Sequence, residues 1–329
     1  MIARLDAAAI AYLEEAFPRF GHKPLAHLPH LTPNQRHAYW LDEIAQDLAD
    51  ESSIAFVARV ADRIEGLALY RDSPWDTRII GRRVGILKHL AAAEDPHHSK
   101  LLDDLITEVI RHAGSRGGEC LTSKVHALDF GAIHALERHE FLLMDTLVDF
   151  VFDSSRTPLD RIDAPRRAQG VSTRLAKPED LHGLLALNQK AYVNFFGRYH
   201  SDPTMPRGAG TRVYDEWLRS SFAGWADWIL VAEVEGTIAG YGVWKKASAV
   251  EARHSLGIAH YNLAAIHPYF SGRGLYTTLA FDGMRMAQSF TTRLDGPVHV
   301  SNYPVHHALQ KLGWRTAGAR HSFHKWLQA

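Results

Sequence analysis

Apolar residues recur at helical spacing over Ala7–Phe17 and Tyr39–Leu48, and the Pro- and His-rich stretch 23–34 between them reads as a connection. A two-residue alternation then takes over. Ile54–Val60 and Ile64–Arg71 flank a polar turn at Asp62, which predicts a hairpin, and Arg83–Ala91 predicts a further strand. A helix over His97–Ala113, a strand over Glu119–Ala127, a short helix over Phe130–Arg138 and a strand over Leu143–Phe152 follow. Residues 154–170 carry two prolines, four arginines and few large apolar side chains, the composition of a linker. Beyond it the order begins again. Thr173–Leu175 reads as a strand, Lys177-Pro178-Glu179-Asp180 as a helix start with proline and acids in its first turn, and Gly210–Phe222 as a second helix. Trp228–Val234 and Thr237–Lys246 form a hairpin about Glu235-Gly236. A strand over Ser255–Ile266, a helix over Gly274–Phe290, a strand over Val298–Ser301, a helix over Pro304–Leu312 and a strand over Ser322–Leu327 complete the chain.

The repetition extends to residues. Val57-Ala58-Arg59-Val60 and Arg63-Ile64-Glu65-Gly66 are echoed 174 positions later by Val231-Ala232-Glu233-Val234 and Thr237-Ile238-Ala239-Gly240. Val125-His126 and His134-Ala135-Leu136-Glu137-Arg138 return 173 positions later as Val298-His299 and His307-Ala308-Leu309-Gln310-Lys311. Two matches in one order at nearly one offset indicate a duplicated domain. The expected fold class is α/β (α+β): two tandem domains, each a mixed sheet flanked by helices, with boundaries at 1–153, a linker at 154–170 and a second domain at 171–329.

With 329 residues and 46% hydrophobic content the chain can bury two ordinary cores. Lys plus Arg and Asp plus Glu both number 37, so there is no overall basic field to gather nucleic acid or an anionic membrane. The single cysteine cannot form an internal disulfide, no basic leader precedes an apolar run, and no stretch approaches the ~18 apolar residues of a membrane span. A cytoplasmic protein, monomeric or homodimeric, is expected. The 21 histidines are scattered rather than set at ligand spacing, so no metal site is expected.

The copies differ where chemistry belongs. In the second, a strand ending Leu263-Ala264-Ala265-Ile266 leads through Ser271-Gly272-Arg273-Gly274 into a helix beginning Leu275-Tyr276. Such a turn aims several main-chain amides at one point, a site for an anion, with Arg273 adding charge. The first copy has His98-Ser99-Lys100-Leu101 there, followed by Asp103 and Asp104.

This element order with its glycine loop resembles the Gcn5-related N-acetyltransferases, two of them in tandem. The family's loop, Gln or Arg, two residues, Gly, one residue, Gly or Ala, corresponds here to Ser271, Gly274 and Tyr276, of which only the glycine fits. Its later signature, an Asn before a helix and then a glycine-aromatic pair, is present as Asn302 with Gly313-Trp314. The resemblance implies acetyl-CoA or another acyl-CoA as cofactor, its pyrophosphate on Gly272–Tyr276 and its pantetheine along Leu263–Ile266. A narrower resemblance rests on Pro74-Trp75-Asp76-Thr77, the run from Arg198 through Asp202-Pro203-Thr204-Met205-Pro206, and Tyr214-Asp215-Glu216-Trp217-Leu218. These segments are similar to those of the dTDP-fucosamine acetyltransferases and related sugar N-acyltransferases. The implied reaction is acyl transfer to the amine of a dTDP-linked deoxyamino sugar. Another small amine as acceptor, or a ligand-binding protein without catalysis, remains open at this point.

Attack by an amine on a thioester needs an unprotonated amine, an oxyanion donor and a proton for the departing thiolate. His260, five residues before Ala265, is the candidate base, since an ordinary imidazole titrates near pH ~6.5. Asn262, two residues on along the strand, is a candidate for orienting the sugar. Amides near Ala265 are the candidate oxyanion donors. Seven residues after Asn302, where many relatives carry an acidic tyrosine, stands Leu309; His306, one helical turn earlier, is the alternative acid. In the stretch joining the two helices before the second hairpin, Arg198 and Arg207 are candidates for the nucleotide diphosphate, and Phe195, Phe196 or Tyr199 for stacking on base or sugar. Trp75 of the first copy is a further candidate for the substrate cleft.

Overall fold

A computed structural model of the chain describes residues 1–5, 7–21, 24–94, 97–193 and 195–327. Its strands are β1 (Ile2–Arg4), β2 (Ser53–Val60), β3 (Arg63–Asp72), β4 (Val84–Ala92), β5 (Cys120–His126), β6 (Leu142–Asp153), β7 (Val171–Leu175), β8 (Trp228–Val234), β9 (Thr237–Lys246), β10 (Ile258–Ile266), β11 (Arg293–His299) and β12 (Arg315–Trp326). The sequence repeat is a structural one. β3 and β9 start 174 positions apart, as do β4 and β10; β5 and β11 start 173 apart, as do the helices Phe130–Arg138 and Tyr303–Lys311. Even the register shift in each hairpin recurs, between Ala58 and Arg59 and again between Ala232 and Glu233.

The chain forms two compact units, Met1–Thr146 with Ser201–Pro206 and Gly318–Ala329, and Leu147–His200 with Arg207–Ala317. These do not follow linear boundaries at 153 and 171. The first unit has sheet order β1-β2-β3-β4-β5-β12, and β12 runs antiparallel to β5. The second has β6-β11-β10-β9-β8-β7, in which β6 from Leu147 onward runs antiparallel to β11. Each unit thus takes its sixth strand from the end of the other copy's sequence. In both, a parallel pair (β4 with β5, β10 with β11) sits beside an antiparallel meander.

The second unit buries one core between its sheet and the helix Leu275–Ala287, through Leu275, Leu279, Ala280, Met284, Trp244 and Trp314. A second core lies on the opposite sheet face under the helices Asp180–Ala191 and Ala209–Ser220. In the first unit the helix His98–Ser115 buries Leu101, Leu102, Leu105 and Val109 on one face, and Pro33–Leu48 with the N-terminal turns covers the other. That helix starts earlier than its apolar periodicity implies, because Thr32 and Gln35 form a reciprocal capping box ahead of Pro33. Residues 22 and 23 of the preceding connection lie outside the described residues. The segment 154–170 is anchored rather than loose: Leu159 is buried in the second unit's core, and Arg167 pairs with Asp282 at 2.7 Å. The helix Pro74–Ile80 and the first half of β11 have no counterpart in the sequence reading.

Candidate functional site

In the second unit the parallel strands β10 and β11 share only three rungs, Ile258–His260 with Arg293–Asp295. Beyond His260 they part: β11 continues along β6 to His299, and β10 continues along β9 to Ile266. The β10 register slips between Tyr261 and Leu263, so Asn262 is the extra residue of a bulge that bends the strand and interrupts the alternation expected to place it beside His260. Past the bulge, His267 donates to the Ala239 carbonyl at 2.8 Å and Ala265 stands opposite Tyr241, both directed at β9. Alternation therefore turns the N–H and C=O of Ala264 and Ile266 to the opened edge. Of the amides near Ala265 expected to face an oxyanion, those of Ala264 and Ile266 are the ones turned to the opened edge. Leu263 and Ala265 point their side chains into the core beneath the two overhanging helices.

At the end of β10 a short turn, Pro268–Phe270, leads to Ser271, Gly272, Arg273 and Gly274, all exposed, and then to the helix Leu275–Ala287. Gly272 and Gly274 have φ of +78° and +75°, and nothing lies within 4 Å of a Cβ built on either. The glycines are thus required by backbone conformation, and the space over them is open. Among the described residues the amides of Gly272, Arg273 and Gly274 have no acceptor; those of Leu275, Tyr276 and Thr277 precede the first full helical bond, from Thr278 N–H to Gly274 C=O at 3.0 Å. Six donors at the positive end of a 13-residue helix, beside the Arg273 guanidinium, make an anion cradle. Leu275 is buried and the Tyr276 ring turns inward against Tyr261, so these two serve through the main chain.

The first unit keeps the sheet plan without the cradle. β4 and β5 part after Leu87 and Ser123, and β4 has its own register shift. Its helix opens after His97, at φ −96°, without a glycine. The His98 ring bonds the Ala93 carbonyl at 2.9 Å and packs over Gly131, while Asp103 binds Arg138.

His260 sits on the last shared rung. Its Nδ1 lies 2.5 Å from Asp295 and its Nε2 3.2 Å from Glu251, which is itself held in a capping box by Ser248. Burial alone would lower the imidazole pKa, but the two carboxylates outweigh it and hold the group up to about 10. Both ring nitrogens are thus taken by carboxylates at the vertex where the strands part, an arrangement that favours the imidazolium and argues against a base near neutral pH. His306 is also committed: its Nε2 donates to the His299 carbonyl at 3.0 Å and its ring meets Phe150 edge-on. Leu309 is fully buried in the core. Asn302 precedes the helix Tyr303–Lys311 and donates its N–H to the His299 carbonyl at 2.9 Å, next to the end of β11.

Aromatic side chains gather over the opening. Phe195 meets Tyr192, Tyr214 and His299 at ring distances of 5.5, 5.4 and 6.0 Å, all edge-on, and Tyr192 stacks on Tyr214 at 4.0 Å. The Tyr192 hydroxyl donates to the Ala264 carbonyl at 3.2 Å, which places a phenol on the opened edge of β10. Sequence reasoning missed Tyr192; its only signal is its place just ahead of the aromatic run. Arg198 packs over the buried Tyr199 ring, Phe196 and Arg207 are exposed, and Trp75 lies on the helix Pro74–Ile80 of the first unit. Asp202, in the segment expected near the substrate, is buried in the first unit, where it accepts from His324 at 2.7 Å, Trp326 at 2.9 Å and the Thr204 amide at 2.8 Å. Among the described residues no group of His, Cys, Asp and Glu could hold a metal ion, and no helix is long and apolar enough to cross a membrane.

No family model matches the chain. A curated relative, the spore coat polysaccharide biosynthesis protein SpsD of Bacillus subtilis (strain 168), is 24% identical over 184 residues, 54% of this chain. The match spans 58% of that relative's length. Among solved structures, a tandem GNAT protein from the clavulanic acid biosynthesis pathway is similar over 100% of this chain and 99% of its own, with TM-score 0.61 and 12% identity. A GCN5-related N-acetyltransferase from Sphaerobacter thermophilus gives TM-score 0.63 at 12% identity, over 100% and 96% of the two chains. Parted parallel strands, a bulge at the parting, a glycine turn into a helix, and the same plan repeated across a chain matched end to end together establish this protein's fold as that of the tandem Gcn5-related N-acetyltransferases.

Proposed function

We propose that this protein is an acyl-CoA-dependent N-acyltransferase whose second unit carries the active site. Acetyl-CoA or another acyl-CoA is the donor, and the amine of a dTDP-linked deoxyamino sugar is the acceptor. The observation that carries this reading is a run of main-chain donors in two stretches, Ala264 and Ile266 on the opened edge of β10 and, after a turn whose own amides are bonded, the Gly272–Thr277 cradle. An anion at the cradle and a thioester with its amide-bearing arm at the strand edge match that run in charge and in hydrogen-bond polarity. When bound, the acyl donor supplies an activated carbonyl. The chain's own residues do the rest: cradle amides and Arg273 hold the diphosphate, Ala264 N–H faces developing negative charge on the acyl oxygen, and Phe195 with Tyr192 and Tyr214 shields the opening from water. Fixed amides suit this task because they need no reorganisation as charge develops.

The sugar reading is supported by the likeness to a polysaccharide biosynthesis protein and by the segments shared with sugar N-acyltransferases. Within those segments Asp202 acts in folding, which leaves Phe195, Phe196, Arg198 and Arg207 to meet the nucleotide sugar. The test is transfer of labelled acetyl from acetyl-CoA to dTDP-fucosamine, run beside free amino sugars, amino acids and aminoglycosides. Preferential acetylation of the nucleotide-linked amine supports the proposal. Preference for a free amine overturns the sugar reading, and coenzyme A binding without transfer to any of them overturns the enzyme reading.

A further inference from the structure

The reaction proposed above needs a group to carry a proton from the attacking amine to the departing sulfur. The side chains first expected there do not supply it: His260 is held between two carboxylates, His306 donates to a carbonyl, and position 309 is a buried leucine. Tyr192 is differently placed. It caps the C-terminal end of the helix Asp180–Ala191, and its ring is locked by a 4.0 Å stack on Tyr214 and an edge contact with Phe195. The hydroxyl reaches through the overhanging helices to the Ala264 carbonyl at 3.2 Å, on the edge of β10 turned away from β9. Beside it the buried Tyr241 hydroxyl donates to Asn188 Oδ1 at 2.6 Å, and Asn188 in turn donates to Asp215 and to the Tyr214 carbonyl. Tyr192 thus presents a fixed hydroxyl, oriented by its neighbours, at the edge where the thioester must lie.

Resting on the acyltransfer reading, we propose that Tyr192 is a catalytic residue that shuttles the proton between amine and sulfur. The amine nitrogen forms the C–N bond at the thioester carbonyl, and the C–S bond breaks as sulfur takes the Tyr192 hydroxyl proton. In the same step the Tyr192 oxygen takes a proton from the nitrogen, so no free phenolate forms, and one amine and one thioester give one amide and one free thiol. The Ala264 carbonyl, which accepts from the hydroxyl in the structure, is left to accept from the incoming amine and orient it. Burial pushes the Tyr192 phenol well above its ordinary value, so the hydroxyl is protonated through the working pH range.

Tyr192→Phe keeps the ring and its stack and removes one oxygen. With acetyl-CoA and dTDP-fucosamine as probes, kcat should fall ~100-fold, the scale of a lost proton-transfer group, with KM for acetyl-CoA unchanged. A second readout needs no acceptor. The thiol of coenzyme A bound to the wild type should ionise at lower pH than when bound to Tyr192→Phe, followed by thiolate ultraviolet absorbance, because the hydroxyl stabilises the thiolate. Equal kcat, or equal thiol titration in the two complexes, overturns the role. A wild-type chain that binds coenzyme A and acylates no amine overturns the parent reading, and this role with it, whereas an active wild type matched by Tyr192→Phe overturns this role alone.

Discussion

Replacing His260 with glutamine tests the claim that this residue is a structural cation. Glutamine keeps hydrogen-bonding capacity but leaves Asp295 and Glu251, both mostly buried, facing each other without the charge between them. A pKa unit is worth about 1.4 kcal/mol, so an imidazole held at about 10 against an ordinary 6.5 sets a ceiling near ~5 kcal/mol. Breaking a buried ion pair from one side costs about 3–5 kcal/mol, and ~3 kcal/mol is expected here because the glutamine amide retains part of the bonding. The folded pKa is raised, so this stabilisation is fully present below pH 6.5 and is lost as pH rises through about 10. Urea unfolding of both proteins from pH 6 to 10.5 measures it. The gap should be near its maximum at pH 6 and close as pH approaches the upper limit. A gap under ~0.5 kcal/mol at pH 6, or one that widens with rising pH, would refute the cation assignment.

Other expectations follow from the same geometry. Asp202→Asn should destabilise the first unit by ~2–3 kcal/mol at pH 7, because His324 and Trp326 lose an ionised acceptor; this is read by thermal unfolding. Burial raises that carboxyl, but the bonds from His324, Trp326 and Thr204 outweigh it and hold it below its usual range. The stabilisation is therefore present above the ordinary carboxylate pKa and should fade as pH falls through the lowered one. Phe195→Ala should raise KM for dTDP-fucosamine ~10-fold and leave coenzyme A affinity unchanged in calorimetry, as the loss of one stacking surface worth about 1.4 kcal/mol implies. Lys100→Glu, on the exposed first turn of the corresponding helix in the first unit, should leave coenzyme A affinity unchanged; a tenfold loss would place a second binding site there.

The apolar alternation of β3 and β9, and of β4 and β10, is a local property, which is why the duplication was legible at an offset of 174. β11 was not. Its sequence, Arg-Leu-Asp-Gly-Pro-Val-His, carries a proline and a glycine that argue against a strand with neighbours on both sides. The structure explains the tolerance: the register with β6 turns the Pro297 nitrogen toward the edge that β10 has already left, so no ladder bond is lost. The glycine turn was readable because positive φ has few residue solutions. The charge state of His260 was not, because its partners lie 9 and 35 positions away in sequence and meet it only through the fold. For the same reason the exchange of β6 and β12 was hidden, since a strand's pattern records its buried face and not the identity of the strand beside it.

The most direct measurement is calorimetric titration of coenzyme A into the wild-type chain and into Gly274→Glu. The substitution sets a carboxylate at the mouth of the cradle, on a backbone whose φ of +75° disfavours any side chain. One coenzyme A per wild-type chain, and no detectable heat from the folded variant, is the predicted result. Undiminished binding by Gly274→Glu, or no binding by the wild type, would contradict the placement of the acyl donor in the second unit.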